Sequence, residues 1–356
     1  MGLQIIKSET NYDFIRLRKI AFLVSGIILL VGLVSLAVKG GPRYGIDFAG
    51  GITIQTKFDQ DIDFGKLKSA LQKAEIPSLT VQRFGMESHN EYLIRVANVD
   101  IQPESLRNKV KHALETGMSS GFQIQRLEMV GPKVGQELQS KALEALFYAV
   151  LLISIYISGR FEARWLAAGT MAIGLAGGIY FLKLFALPLS ILILAALLIT
   201  LGLCWYLRLN YALGAVVALI HDVLITVCIF SLLNKEFDLS IVAALLTIIG
   251  YSLNDTIIIF DRIRENLKAK ASRSFTSTLN ISINQTLSRT LLTSGTTLLV
   301  VLCLYILGGG VIHNFAFALL IGVISGTYSS IFVASPILLG FDMTTQEEEV
   351  AQTQAG

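Results

Sequence analysis

Two aspartates sit in stretches where water should be scarce. Asp255 lies in TIIGYSLNDTIIIFDRIREN, residues 247–266, with Ser252 and Asn254 beside it and apolar residues on both flanks. Asp222 follows His221 inside the apolar run 211–233. A carboxylate within a hydrophobic span costs about 2.5–3.5 kcal/mol on insertion scales. A partner, a water-filled cavity or a bound proton must offset that cost. As a helix, 247–266 is expected to place Thr247, Tyr251, Asp255 and Arg262 on one face, with Ser252 adjacent. Arg289 opens the next long apolar run, and Thr286, Thr290, Thr293 and Thr297 recur around it at helical spacing.

Two chemistries fit these residues. In the first, Asp255 pairs with Arg289 or Arg262 and pins two helices together, or Arg289 simply reaches the membrane surface. In the second, Asp255 is a proton relay that alternates between neutral and charged, with Arg289 setting when it does so and Asp222 assisting. His221 can pair Asp222 locally. Tyr251, Ser252, Asn254 and His221 are the supporting polar groups of either scheme.

Other chemistries lack residues. The cysteines, Cys204, Cys228 and Cys303, all fall in apolar runs, and the histidines His89, His112, His221 and His313 are scattered. Neither set has metal-ligand spacing. There is no P-loop, GxSxG or GxGxxG. The expectation is therefore a protein that is not an enzyme, has no cofactor or metal, and uses protons as its only coupling ion. No nucleic-acid partner is expected.

The positioning elements must be membrane helices. The chain is 53% hydrophobic and 15% charged, where soluble domains carry about 25% charged residues. Residues 20–38 are uncharged and long enough to span a ~30 Å hydrocarbon core. They end Ala-Val-Lys-Gly-Gly-Pro, without a cleavage signature, so they read as a retained helix. Further spans are read at 141–158, 165–183, 186–207, 211–233, 239–260, 290–308 and 313–340, which with the first makes about eight. Arginines and lysines concentrate in 1–19, 159–164, 208–210 and 261–289. That asymmetry predicts a cytoplasmic N-terminus and C-terminus and a cytoplasmic loop 261–289. The acidic tail 341–356 reads as disordered.

Residues 40–135 form a polar insert on the other side of the membrane. Its pattern of strands and helices is βαββαβ, a ferredoxin-like α+β domain. The domain is entered through GIDFAGG, where Gly45, Gly50 and Gly51 mark either a tight turn or a hinge. It is left through VGPKVGQEL, a second Gly/Pro joint before the span at 141. The fold class is thus a polytopic α-helical membrane protein carrying one ferredoxin-like domain outside the cytoplasm.

GIDFAGG, VGPKVG, GYSLNDTIIIFDRIREN and SRTLLTSGTTL, in this order, resemble the SecF family, the smaller subunit of the SecD–SecF complex of bacterial protein export. The resemblance covers about residues 12–340. It implies an RND-type inner-membrane protein that uses the proton motive force to assist preprotein export. It implies a SecD-like subunit, a SecY-type channel, a YajC-like subunit, the translocating preprotein and membrane lipid as partners. It places the proton pathway at Asp255 and Arg289, and it matches the His221–Asp222 pair. One departure stands out. Family members have six spans, with the Arg-Phe-Glu motif and the His-Asp pair on one helix. Here Arg160-Phe161-Glu162 lies almost sixty residues before His221, which implies an inserted hairpin at 165–207. The competing readings are a proton-driven exporter of a lipid or small molecule, which the single polar insert disfavours, and a scaffold in which Asp255–Arg289 is purely structural.

Overall fold

The computed structural model describes residues 11–340, apart from 75, 77–78, 85–89, 98–101, 163–165, 167–168, 171, 175–176, 179–188 and 270–273. The tail expected at 341–356, residues 1–10, and much of the first half of the expected hairpin lie outside the described residues.

Helix α1 (Phe14–Lys39) starts where the Asp13 carboxylate accepts from the Arg16 N–H at 3.0 Å, a side-chain cap for an otherwise orphaned donor. It ends at Gly40, whose φ of 73° is left-handed. A short helix α2 (Ile46–Ala49) then leads into the polar domain.

The domain runs β1 (Gly51–Phe58), α3 (Phe64–Gln72), β2 (Leu79–Phe84), β3 (Glu91–Val96), α4 (Pro103–Gly117) and β4 (Phe122–Val130). The sheet order is β2-β3-β1-β4, with every pair antiparallel. Alternation along the strands sends Ile52, Ile54, Tyr92, Ile94 and Val96 to one face, where they pack on Leu67, Leu71, Leu106, Val110 and Leu114 of the two helices. The other face carries Thr53, Gln55, Leu93 and Arg95. It looks onto the membrane-spanning part across a polar cleft of about 440 Å³.

Helices α5 (Pro132–Glu162), α6 (Leu189–Tyr206), α7 (Asn210–Leu232), α8 (Leu239–Lys268), α9 (Phe275–Leu307) and α10 (Gly309–Ser329) follow. Helix α10 continues through a π-helical turn, Ser330–Ala334, to Gly340. Among the described residues, six helices are long and apolar enough to cross a membrane: α1, α5, α7, α8, α9 and the run ending at Gly340. Helix α6 is an additional apolar helix of 18 residues.

Two expected joints are helical instead. The segment 132–140 belongs to α5, because Pro132 has no N–H to lose at a helix start. Most of the loop expected at 261–289 belongs to α8 and α9, whose ends extend past the apolar runs. There the Asn266 amide donates to Ser282 Oγ at 2.8 Å and to Gln285 Oε1 at 2.9 Å. Arg262 pairs with Glu265 at 2.8 Å one turn along. Polarity marked the membrane surface and did not mark the ends of the helices.

Helices α8 and α10 approach closely through two glycines. A methyl group on Gly326 would lie 2.8 Å from Ser252 Cβ, and one on Gly322 would overlap Ile248. Small residues four apart permit this contact in lipid.

The glycines of the domain entry are packed. Gly45 lies against Asp238, and Gly50 (φ +73°) lies against Pro132. At Gly51, φ is +122°, and an added Cβ would meet the Val96 carbonyl oxygen at 2.6 Å. Gly51→Ala is therefore expected to destabilise the domain by about 1–3 kcal/mol from backbone strain, with the carbonyl clash adding to it. The check is a lowered Tm of the purified variant.

Candidate functional site

Asp222 lies midway along α7 and is 1% exposed. Its carboxylate accepts from Ser252 Oγ of α8 at 2.6 Å, and from Ser325 and Ser329 Oγ of α10 at 2.6 and 2.7 Å. His221 Nδ1 lies 3.0 Å from Oδ1. An ionised carboxylate is an acceptor only, with about four lone-pair sites. Three hydroxyls and an imidazole match that capacity. The backbone carbonyl of Asp222 also accepts, from Thr226 Oγ1 at 2.9 Å.

The network continues to α1. His221 Nε2 is 3.0 Å from Ser25 Oγ, which is 2.9 Å from the Tyr328 hydroxyl. Tyr328 donates to the Ala21 carbonyl at 2.7 Å, and its ring stacks on His221 with centroids 5.9 Å apart. A continuous chain of polar groups thus ties α1, α7, α8 and α10 together inside an apolar bundle. Low surrounding polarity strengthens each such bond and raises the cost of losing any one.

Asp255 lies three residues beyond Ser252 on α8 and is 1% exposed. Ser294 Oγ of α9 donates to its Oδ2 at 3.1 Å. Thr327 Oγ1 of α10 donates to Ser294 Oγ at 2.8 Å. Thr256, the next residue, shares a hydroxyl contact of 2.9 Å with Ser330. The two carboxylates are therefore served by opposite sides of α10: Ser325 and Ser329 face Asp222, and Thr327 faces the α9 side.

The expected Asp255–Arg289 pair is not closed, although Arg289 acts on the carboxylate through its charge. Among the described residues Asp255 forms no ion pair within 4.0 Å, and Arg289 is exposed on α9. Arg262 is engaged with Glu265. The single polar face expected on α8 is divided. Thr247 is exposed and bonds its own helix at Ala243, Asn254 is exposed, and Ser252 and Asp255 are buried. Eight residues of helix rotate by about 80° beyond whole turns, and the boundary between the exposed and buried sides of α8 falls between Thr247 and Asp255. The Tyr251 hydroxyl is buried with no hydrogen-bond partner among the described residues. The α9 threonines mostly serve their own backbone: Thr286 bonds Ser282, Thr293 bonds Arg289 and Thr297 bonds Thr293.

The sequence reading made Asp222 the lesser of the two acids, and the structure surrounds it with more donors than Asp255. The missed donors are Ser325, Thr327, Ser329 and Ser330. Their signal was the run SGTYSS within an apolar span, whose hydroxyls needed inward partners.

Among the described residues no group of three His, Cys, Asp or Glu could hold a metal ion. The arrangement can hold or pass protons and can register helices. Asp222→Ala leaves Ser252, Ser325, Ser329 and His221 facing a void. A loss on the order of 3 kcal/mol is expected from unsatisfied buried donors. Asp222→Asn, which keeps the volume and one acceptor, should lose less. Tm values of the two variants in detergent check the order.

Residues 109–206 and 182–344 match the family profile described as protein export membrane protein SecD/SecF, C-terminal. Residues 34–62 match the SecD/SecF GG motif. The protein translocase subunit SecF of Calditerrivibrio nitroreducens is 40% identical over 94% of this chain and 96% of its own length. That of Vibrio alginolyticus is 39% identical over 94% and 91%. Among solved structures, SecDF of Thermus thermophilus, titled a translocon-associated membrane protein, is similar with a TM-score of 0.70 and 26% identity over 94% of this chain. This chain spans 39% of that longer polypeptide.

Proposed function

The chain belongs to the SecF family of protein translocase subunits, and from that premise we propose that it is the proton-coupled accessory subunit of a Sec-type export machine. It acts without enzymatic turnover or cofactor, with protons as the coupling ion. Its partners are a SecD-like subunit, a SecY-type channel, a YajC-like subunit and the translocating preprotein. The setting is the bacterial inner membrane, with both termini cytoplasmic and the polar domain outside. The charge asymmetry of the connecting segments supports this orientation.

The observation that carries the proton reading is Asp255 itself. It is a fully buried carboxylate in a membrane helix, served by the Ser294 hydroxyl at 3.1 Å with Thr327 beside it, and it has no ion pair within 4.0 Å among the described residues. A helix-pinning role would favour a closed salt bridge, and an acid that must gain and lose a proton is better served by neutral hydroxyl donors. Arg289 and Asn254 are exposed on the neighbouring faces of α9 and α8. Polar groups directed at lipid are costly, so this face is assigned to the SecD-like subunit, against which Arg289 reaches the proton pathway. One proton crossing ~100 mV supplies about 2.3 kcal/mol, and a pH unit of gradient adds about 1.4 kcal/mol. Together these can shift a two-state equilibrium more than a hundredfold.

Two finer points of architecture belong to the same proposal. The sheet order β2-β3-β1-β4 with both helices on one face supports a ferredoxin-like domain. The family profile matches in two pieces that overlap at 182–206, and α6 lies in that overlap. Both support an inserted hairpin at 165–207 and eight spans in all.

Asp255→Asn, which cannot release a proton, is expected to abolish the stimulation of preprotein export by the proton motive force while the protein stays folded. Reporter export into inverted membrane vesicles, with and without an ionophore, measures it. Stimulation that survives Asp255→Asn refutes the proton assignment.

A further inference from the structure

We infer that Glu236 is the transmission point between the buried carboxylates and the polar domain. This rests on the proton reading of Asp255 and names the element that carries it outward. Residues 233–238 join α7, which holds Asp222, to α8, which holds Ser252 and Asp255. Any shift or rotation of α8 against α7 must be absorbed in this connection.

The polar domain grips that same connection. Arg95, on the cleft face of β3, donates through Nη2 to Glu236 Oε2 at 3.1 Å, and its Nη1 lies 2.9 Å from Oε1. Nη1 also donates to the Tyr44 carbonyl at 3.2 Å. Arg43 Nε adds a weaker approach to Glu236 Oε1 at 3.8 Å. The Glu236 and Arg95 side chains are only 14% and 17% exposed, so water screens the pair poorly. The Nη2 hydrogen bond and the Nη1 ion-pair contact together form the fork, with one oxygen hydrogen-bonded and the other held by charge.

The backbone forms a second grip beside the first. Phe237 N–H donates to the Arg43 carbonyl at 2.7 Å, and Gly45 N–H donates to the Phe237 carbonyl at 2.8 Å. Asp47 Oδ2 then accepts from Leu239 N–H at 2.9 Å, on the first residue of α8. The backbone grip ties the domain entry to the end of α8. The Arg95–Glu236 fork ties the sheet to it. Much of the remaining sheet face borders the polar cleft, which leaves room for the domain to tilt about this edge. Helix α8 thus acts as a lever with Asp255 on its shaft and Glu236 just before its tip.

The test uses the full chain co-purified with its SecD subunit in lipid nanodiscs, in a Cys303→Ser background. Spin labels go at Lys109 in the domain and Leu299 in α9, both exposed, and pulsed dipolar spectroscopy reads the distance between them. Asp255→Asn is expected to shift the distance distribution. Glu236→Gln should remove that shift. Arg95→Lys, which keeps the charge and loses the fork, should remove it as well in a protein of unaltered Tm. A shift of equal size with and without these changes overturns the latch and leaves the proton reading standing. No shift from Asp255→Asn in the native background overturns both.

Discussion

A buried carboxylate has to be satisfied where it stands, and in this protein Asp222 imposes that requirement on the whole bundle. Its acceptors draw hydroxyls from α8 and α10 to within 2.7 Å and an imidazole from its own helix. The imidazole then reaches α1 through Ser25. Helices in lipid gain little from apolar contact with each other, because lipid tails are equally apolar. Directional bonds and close backbone packing must therefore set their positions. The glycines at 322 and 326 supply the packing, and Asp222 supplies the direction. Neither suffices alone, since Ser252 meets Asp222 from the very position where Gly326 leaves room for it.

The second acid is held differently, and the contrast is informative. Asp255 is served by the Ser294 hydroxyl and by Thr327 beside it, which also bonds Ser294. Two carboxylates on neighbouring helices, equally buried, thus have unequal local support. The well-supported one suits a fixed anchor, and the sparsely supported one suits a group whose charge changes. Environment thus sets chemically identical side chains apart.

Much of this was legible before the structure. The polar domain's strands and helices announced themselves by period, and the structure adds caps such as Asp63, which accepts from Gly65 N–H at 2.7 Å. The buried acids were visible because charge in an apolar run is rare. Pairing was illegible, because it depends on how each helix is turned against its neighbours, and that packing leaves Thr247 exposed while it buries Asp255. Arg289 was assigned to Asp255 by its motif and its place on the adjacent helix; it is exposed on α9 and acts on Asp255 through its charge without closing an ion pair within 4.0 Å among the described residues. The serines of α10 were passed over because a hydroxyl in an apolar span can satisfy itself on its own backbone, as Thr286 and Thr297 do. Only the neighbouring helix reveals which hydroxyls look outward from their own turn. Lys235 makes the same point. Its sequence position suggests a loop cation in water, yet it lies over the Phe317 ring and donates to Asn314 at 3.2 Å. Burial pushes its pKa down.

Helix α10 presents Ser325 and Ser329 to one acid while Thr327, between them in sequence, supports the donor of the other. A rigid helix cannot turn one of these sides without turning the other. Rotation that loosens Thr327 from Ser294 also withdraws the serines from Asp222. The donor sets of the two acids are therefore mechanically linked, even though no side chain among the described residues bridges them. A turn that alters the support of one carboxylate alters the support of the other, and a linkage of this kind is reciprocal. A single helix axis thus serves as the coupling between two sites.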